Sequence, residues 1–126
     1  MLEEKLKIAL ANLVVFSIKS QGFHWNVEGP HFSSFPTVFE AVYSAADDEI
    51  DALAEHIRAL DIYAPSSMAR FRELTTIIEQ TKVPRAELMV KELMHDNEIV
   101  IHGLVEAFNL SSDHKGLENF LADKIE

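Results

Sequence analysis

No cysteine occurs among the 126 residues, which excludes disulfides and thiolate metal sites and leaves only oxygen and imidazole ligands for any bound metal. Bases are scarce too: 11 lysines and arginines face 21 acids, for a formal net charge of −10. They stand singly rather than in a patch, and so negative a chain repels polyphosphate, so nucleic-acid binding is not expected. Four scattered glycines make no phosphate cradle. With no cysteine, no glycine-serine-glycine elbow and no clear base beside a hydroxyl, nucleophilic catalysis lacks its parts. The apolar run from Leu6 to Ile18 is too short to span a bilayer, and Met1-Leu2-Glu3-Glu4-Lys5 has acids where a signal peptide has bases. These features read as a soluble cytoplasmic protein with no membrane partner.

What is present is helical. A hydrophobic content of 48% over 126 residues supports one core, hence a single domain spanning 1–126. Apolar residues recur at helical spacing through Leu6, Leu10, Leu13 and Phe16, which predicts a first helix from about Glu3 to Trp25. Glu28-Gly29-Pro30 ends it, and Ser33 or Ser34 can cap a second helix from about Phe35 to Asp61, with Pro36 tolerated in its first turn. Its core stripe is Phe35, Phe39, Ala46, Ile50, Leu53 and Ile57. Ala64-Pro65-Ser66-Ser67 breaks the pattern before a short helix at Met68–Leu74. A third long helix starts near Pro84 and runs to about Asn109, with Val90, Leu93, Asn97, Ile101, Leu104 and Phe108 on one face. Asn97, central in that stripe, needs a polar partner. Ser111-Ser112-Asp113 then offers caps for a last helix from about His114, too short to cover its neighbour. Glu126 interrupts an unfinished amphipathic pattern, so either other subunits cover the bare core or the chain ends before its fourth helix is complete. The expected fold is all-α: a four-helix bundle with a short extra helix between the second and third long helices and a shortened last helix.

Six histidines and the acids remain as candidate metal ligands. At about 100° per residue, Glu40, Asp47, Asp51, Glu55 and Arg58 fall within roughly 60° of one direction, well away from the core stripe of their own helix. Such a stripe is first what a solvated helix face looks like, although its carboxylates stand more densely than solubility requires, as a ligand face would have them. Glu40 has a further alternative, since Thr37-x-x-Glu40 matches a capping box. Glu92-Leu93-Met94-His95 has the spacing used in di-iron bundles, but in one copy and turned away from the apolar stripe, which predicts two solvent-facing side chains. His56, His102 and His114 have no second ligand at useful spacing. His24 stands at the end of the first helix beside Trp25, either as a satisfied polar residue or as a ligand close to the second helix.

The run His24-Trp25-Asn26-Val27-Glu28-Gly29-Pro30-His31-Phe32, followed by Asp51-Ala52-Leu53-Ala54-Glu55-His56-Ile57-Arg58, resembles the Dps family of mini-ferritins. That family has a helix ending in histidine-tryptophan and a second helix carrying aspartate-x-x-x-glutamate followed by arginine. The resemblance covers nearly the whole chain. It implies a ferritin-like homo-oligomer, a dodecamer, that binds iron between subunits related by a twofold axis, oxidises Fe²⁺ with hydrogen peroxide or oxygen, and stores ferric mineral inside. By this resemblance His24 of one subunit faces Asp51 and Glu55 of the other, Glu40 stands where the family usually has an aspartate and bridges toward a second iron, and Trp25 packs beside the site. The site holds one or two irons. The family's second histidine is Pro36 here, and a proline side chain ligates nothing. His31 is the nearby candidate substitute. The alternative is a structural relative that assembles without efficient ferroxidase activity. DNA compaction, known in some family members, needs a basic tail that this sequence does not carry.

Overall fold

The computed structural model describes residues 1–28 and 35–125. Within them the chain forms α1 (Leu2–Asn26), α2 (Phe35–Ala59), α3 (Met68–Leu74), α4 (Ala86–Asn109) and α5 (Lys115–Ile125). The described residues contain no strand, and the expected four-helix bundle with a short crossing helix is what forms. The expected caps Ser33 and Ser34, the alternative ligand His31, and Glu126 lie outside the described residues.

α1 is the central helix. It packs against α2, α3 and α4, and its buried residues include Leu6, Ala9, Leu10, Leu13, Val15, Phe16 and Phe23. A helix enclosed on so many sides is apolar around most of its circumference. Each fully buried leucine, such as Leu6 or Leu10, contributes about 1.5–3 kcal/mol relative to exposure. Glu3 and Glu4 in its first turn complement the helix dipole. At the C-terminal end the Asn26 side-chain amide donates back to the Gly22 carbonyl at 3.0 Å.

α2 buries Phe39, Ala46, Leu53 and Ile57 as expected, while Phe35 and Ile50 are half-buried at the edge of the same core. Asp61, with φ 66°, ends the turn after α2 in the left-handed region that aspartate tolerates better than most residues. Ser67 caps α3, its hydroxyl accepting from the Arg70 N–H at 3.2 Å.

The main correction concerns α4. Its buried residues are Met89, Leu93, Asp96, Val100, Leu104 and Ala107, a stripe rotated by about one residue from the expected one. Asn97, placed at its centre from the sequence, is exposed, and the buried polar residue is Asp96. The cause is a difference in coverage. α1 runs beside one flank of α4, whereas the other flank is met only by α5, whose 11 residues end beside Lys124 and Ile125. Beyond that end a groove of about 380 Å³ remains, bordered by Phe16, Val42, Asn97 and Ile101. The helix also begins at Ala86 rather than Pro84, and Ser111 closes α4 rather than opening α5, its hydroxyl donating to the Phe108 carbonyl at 2.8 Å.

Two polar clusters inside the bundle have no counterpart in the sequence reading. Lys19 and Asp96, 8% and 2% exposed, form an ion pair at 2.7 Å. The same ammonium lies 3.1 Å from a Glu92 oxygen and donates to the Ile78 carbonyl at 2.9 Å. Glu92, expected to face solvent, is therefore half-buried and also accepts from Gln80 at 3.0 Å. Asn12, 1% exposed, accepts from the Thr75 hydroxyl at 2.6 Å and the Thr76 N–H at 2.8 Å and donates to the Thr76 hydroxyl at 3.1 Å. Together they fasten the connection after α3 to the central helix.

Candidate functional site

His24 sits in the last turn of α1, half-buried against the first turns of α2. Its Nδ1 lies 2.6 Å from the carbonyl oxygen of Pro36. A carbonyl only accepts, so Nδ1 carries the proton, and in the neutral ring Nε2 keeps its lone pair. A histidine whose other nitrogen donates to a backbone carbonyl is the usual arrangement of a metal-ligating imidazole. The Pro36 side chain can ligate nothing, but its backbone carbonyl orients the His24 ring. The Tyr43 ring meets the His24 ring edge-on, with centroids 5.6 Å apart. Beneath them Phe23 and Phe39 pack at 6.0 Å and hold the end of α1 against α2.

The acids of α2 divide between two directions. Asp47 turns toward α1 and accepts a hydrogen bond from the Ser17 hydroxyl. Glu40, Asp51 and Glu55 are exposed. Because α2 begins at Phe35, Thr37 lies inside the helix rather than at its N-cap, which removes the capping-box alternative for Glu40. Arg58 donates to the Ile62 carbonyl at 2.9 Å and stacks over Tyr63, so it closes the end of α2.

His24 and the Asp51/Glu55 pair do not meet within one chain. His24 is anchored at the level of Pro36, and Asp51 follows about 22 Å further along α2 at a rise of ~1.5 Å per residue. Among the described residues no group of three histidine, aspartate or glutamate side chains is placed to hold a metal ion. Trp25 is 70% exposed and lines a cleft of about 310 Å³ between α1 and α3, with Ile18, Met68 and Val83.

The other histidines serve local contacts. His56 stacks on Phe120 of α5 at 4.4 Å. His102 pairs with Glu106 at 3.0 Å, where the Lys5 ammonium on the same carboxylate, with a smaller contribution from His102, holds Glu106 below the usual carboxylate range. His95 is exposed as expected, and His114 lies beside Asp61 and the start of α1. Sequence reasoning did not single out Tyr43. The available signal was its spacing of seven residues from Pro36, which puts both on one side of α2.

Comparison with known proteins agrees with this architecture. The model of the ferritin-like domain matches residues 3–126. An uncharacterised low temperature-induced protein of Nostoc sp. is 35% identical over 121 residues, covering 93% of this chain and 68% of its own. DNA protection during starvation protein 2 of Bacillus anthracis is 30% identical over 110 residues, covering 87% of this chain and 75% of its own. Among solved structures, the Dps protein of Vibrio cholerae O1, described as a member of a broad superfamily of ferritin-like diiron-carboxylate proteins, superimposes with a TM-score of 0.93 at 27% identity, over 98% of this chain and 79% of that one. No helix among the described residues is long and apolar enough to cross a membrane. The helix order, the central α1 and the ferritin-like match over nearly every residue together establish that this chain belongs to the Dps family of ferritin-like proteins, the mini-ferritins.

Proposed function

We propose that this protein binds Fe²⁺ at sites shared between two subunits, oxidises it with hydrogen peroxide or oxygen, and stores the ferric product inside a hollow homo-oligomer, a dodecamer as the family resemblance implies. The observation that carries the reading is the geometry of His24: an imidazole anchored on Pro36 with Nε2 free for a ligand role, cradled between Pro36 and Tyr43 and so well short of Asp51 along α2. A second copy running antiparallel along the exposed face of α2 brings His24 of each chain to Asp51 and Glu55 of the other. A twofold axis does this for both sites at once. The centre of that crossing falls near Ala41 and Ser44, both exposed and small enough for two helices to approach closely.

In this arrangement His24 supplies an imidazole, Asp51 and Glu55 supply carboxylates, and Glu40, one turn from Pro36, supplies a further carboxylate toward a second iron. Such a set suits Fe²⁺ and stabilises Fe³⁺ more strongly, since hard oxygen ligands favour the higher charge. Each iron gives one electron to the oxidant. The exposed acids of α2 raise the local concentration of cations before they bind. The net charge of −10 opposes DNA as a ligand.

Anaerobic Fe²⁺ titration followed by peroxide tests the proposal on the protein and on its His24→Ala and Asp51→Ala variants. Saturable binding and oxidation faster than in buffer, lost in both variants, is the expected result. Oxidation no faster than in buffer overturns the ferroxidase reading and leaves an assembling relative without that activity, for which Pro36 is the observation in favour. Light scattering at low salt tests assembly separately, and a stable monomer removes the shared site.

A further inference from the structure

We propose that Tyr43 is the positioning residue of His24, its ring setting the plane of the imidazole while the Pro36 carbonyl sets its tautomer. The proposal rests on the reading of His24 as an iron ligand. Its structural half, that Tyr43 fixes the ring, stands on geometry within one chain.

Two contacts reach the His24 ring from α2. One is the hydrogen bond from Nδ1 to the Pro36 carbonyl at 2.6 Å. The other is the Tyr43 ring, 5.6 Å away between centroids and inclined at 62°. Pro36 and Tyr43 stand seven residues apart, which at ~100° per residue returns to within about 20° of the same side of α2. They therefore form one cradle along α2 into which the end of α1 lays its histidine.

The two contacts constrain different freedoms. A hydrogen bond fixes which nitrogen carries the proton and where that nitrogen sits, but it leaves the ring free to swing about the Nδ1–O line. An edge-to-face aromatic contact resists that swing, because the ring quadrupoles favour inclined over parallel faces. His24 needs the second restraint. It is only half-buried, and α1 ends two residues later at Asn26, where the backbone turns extended at Val27 with ψ 138°. A ligand imidazole gains affinity when its ring is held ready, since less freedom is lost on binding.

The inference separates the phenyl ring of Tyr43 from its hydroxyl. The ring makes the contact, so Tyr43→Phe keeps the function and Tyr43→Ala loses it. Two measurements test this on the assembled protein. Crystal structures of the metal-free variants read His24 directly: the wild-type ring orientation in Tyr43→Phe, and a rotated or divided ring in Tyr43→Ala. Titration with Co²⁺, a redox-stable probe, reads the consequence. Affinity in Tyr43→Phe stays within about twofold of wild type and falls roughly tenfold in Tyr43→Ala, as for other partners that orient a ligand.

An unchanged His24 ring in Tyr43→Ala overturns the proposal, and so does an equal loss of Co²⁺ affinity in Tyr43→Phe, which moves the role to the phenol oxygen. His24→Ala is the control for the underlying reading. If it binds Co²⁺ as tightly as wild type, His24 is not a ligand, and the crystal structures alone then decide whether Tyr43 fixes its ring.

Discussion

The Nδ1–H of His24 donates to the carbonyl oxygen of Pro36 across 2.6 Å, so the residue standing where the resemblance places a second histidine also orients the proposed ligand His24. Only the side chain at position 36 is missing, and the backbone carbonyl is present whatever residue stands there. Pro36→His therefore adds an imidazole without removing the anchor of His24. The expected outcome is faster peroxide-driven Fe²⁺ oxidation than wild type, measured by stopped-flow absorbance of the ferric product. A rate equal to or below wild type shows that position 36 does not limit the chemistry.

Mixing two inactive variants distinguishes a shared site from one within a subunit. In a dimer of one His24→Ala chain and one Asp51→Ala chain, one twofold site keeps both native residues and the other loses both. Co-assembled variants should recover about a quarter of wild-type sites under random pairing, read as Fe²⁺ bound per subunit. No recovery above the separate variants contradicts the shared site.

The pair Lys19 and Asp96 has a large expected effect on stability. Lys19→Met strands a carboxylate that is 2% exposed, with an expected cost of about 3–5 kcal/mol in urea unfolding. The double variant Lys19→Met with Asp96→Leu removes the stranded Asp96 charge and should recover part of that loss, the remainder reflecting Glu92 and the Ile78 carbonyl, which still lose the ammonium. A double variant as unstable as the single one contradicts this account.

Asn12 fastens the connection at Thr75 and Thr76 to the central helix through three hydrogen bonds. Asn12→Leu removes all three, taking the acceptor from the half-buried Thr75 hydroxyl and from the Thr76 N–H, and a loss of roughly 1–2 kcal/mol is expected. Hydrogen exchange at Thr76 should accelerate more than exchange along α1. Uniform acceleration along both segments points to general loosening instead.

α5 is held to α2 by Lys124, which lies 3.3 Å from Glu49, and by Phe120 against His56. Hydrogen bonds to Asp123 and then to Glu49 raise the Lys124 pKa above its ordinary 10.5. A raised pKa means that the stabilisation is complete below the unfolded value and is lost as pH climbs through the folded one. Hydrogen-exchange protection of α5 should therefore hold to about pH 10 and fall above it, while Lys124→Gln should show weaker protection with no such step. A step at the same pH in the variant assigns it to another group.

Most of the architecture was legible in the sequence, for a definite reason. Helical periodicity is local, so Leu6, Leu10, Leu13 and Phe16 mark α1, and Phe39, Ala46, Leu53 and Ile57 mark the buried side of α2, before any neighbour is known. Met68–Leu74 is bounded by its own breakers and its Ser67 cap. The outward turn of Glu40, Asp51 and Glu55 followed from the same arithmetic. What periodicity leaves open is which neighbour covers an apolar flank. On α4 both flanks are apolar, and only the packing of α1 on one side and the short α5 on the other decided that Asp96 is buried and Asn97 is not. The charges of Lys19 and Asp96 stand far apart in the chain, and no local pattern pairs them. The same holds for His24. Its sequence marked it as a candidate, but a hydrogen bond to a backbone carbonyl and a ring contact with Tyr43 are long-range facts, set by where α1 meets α2 and by nothing in either helix alone.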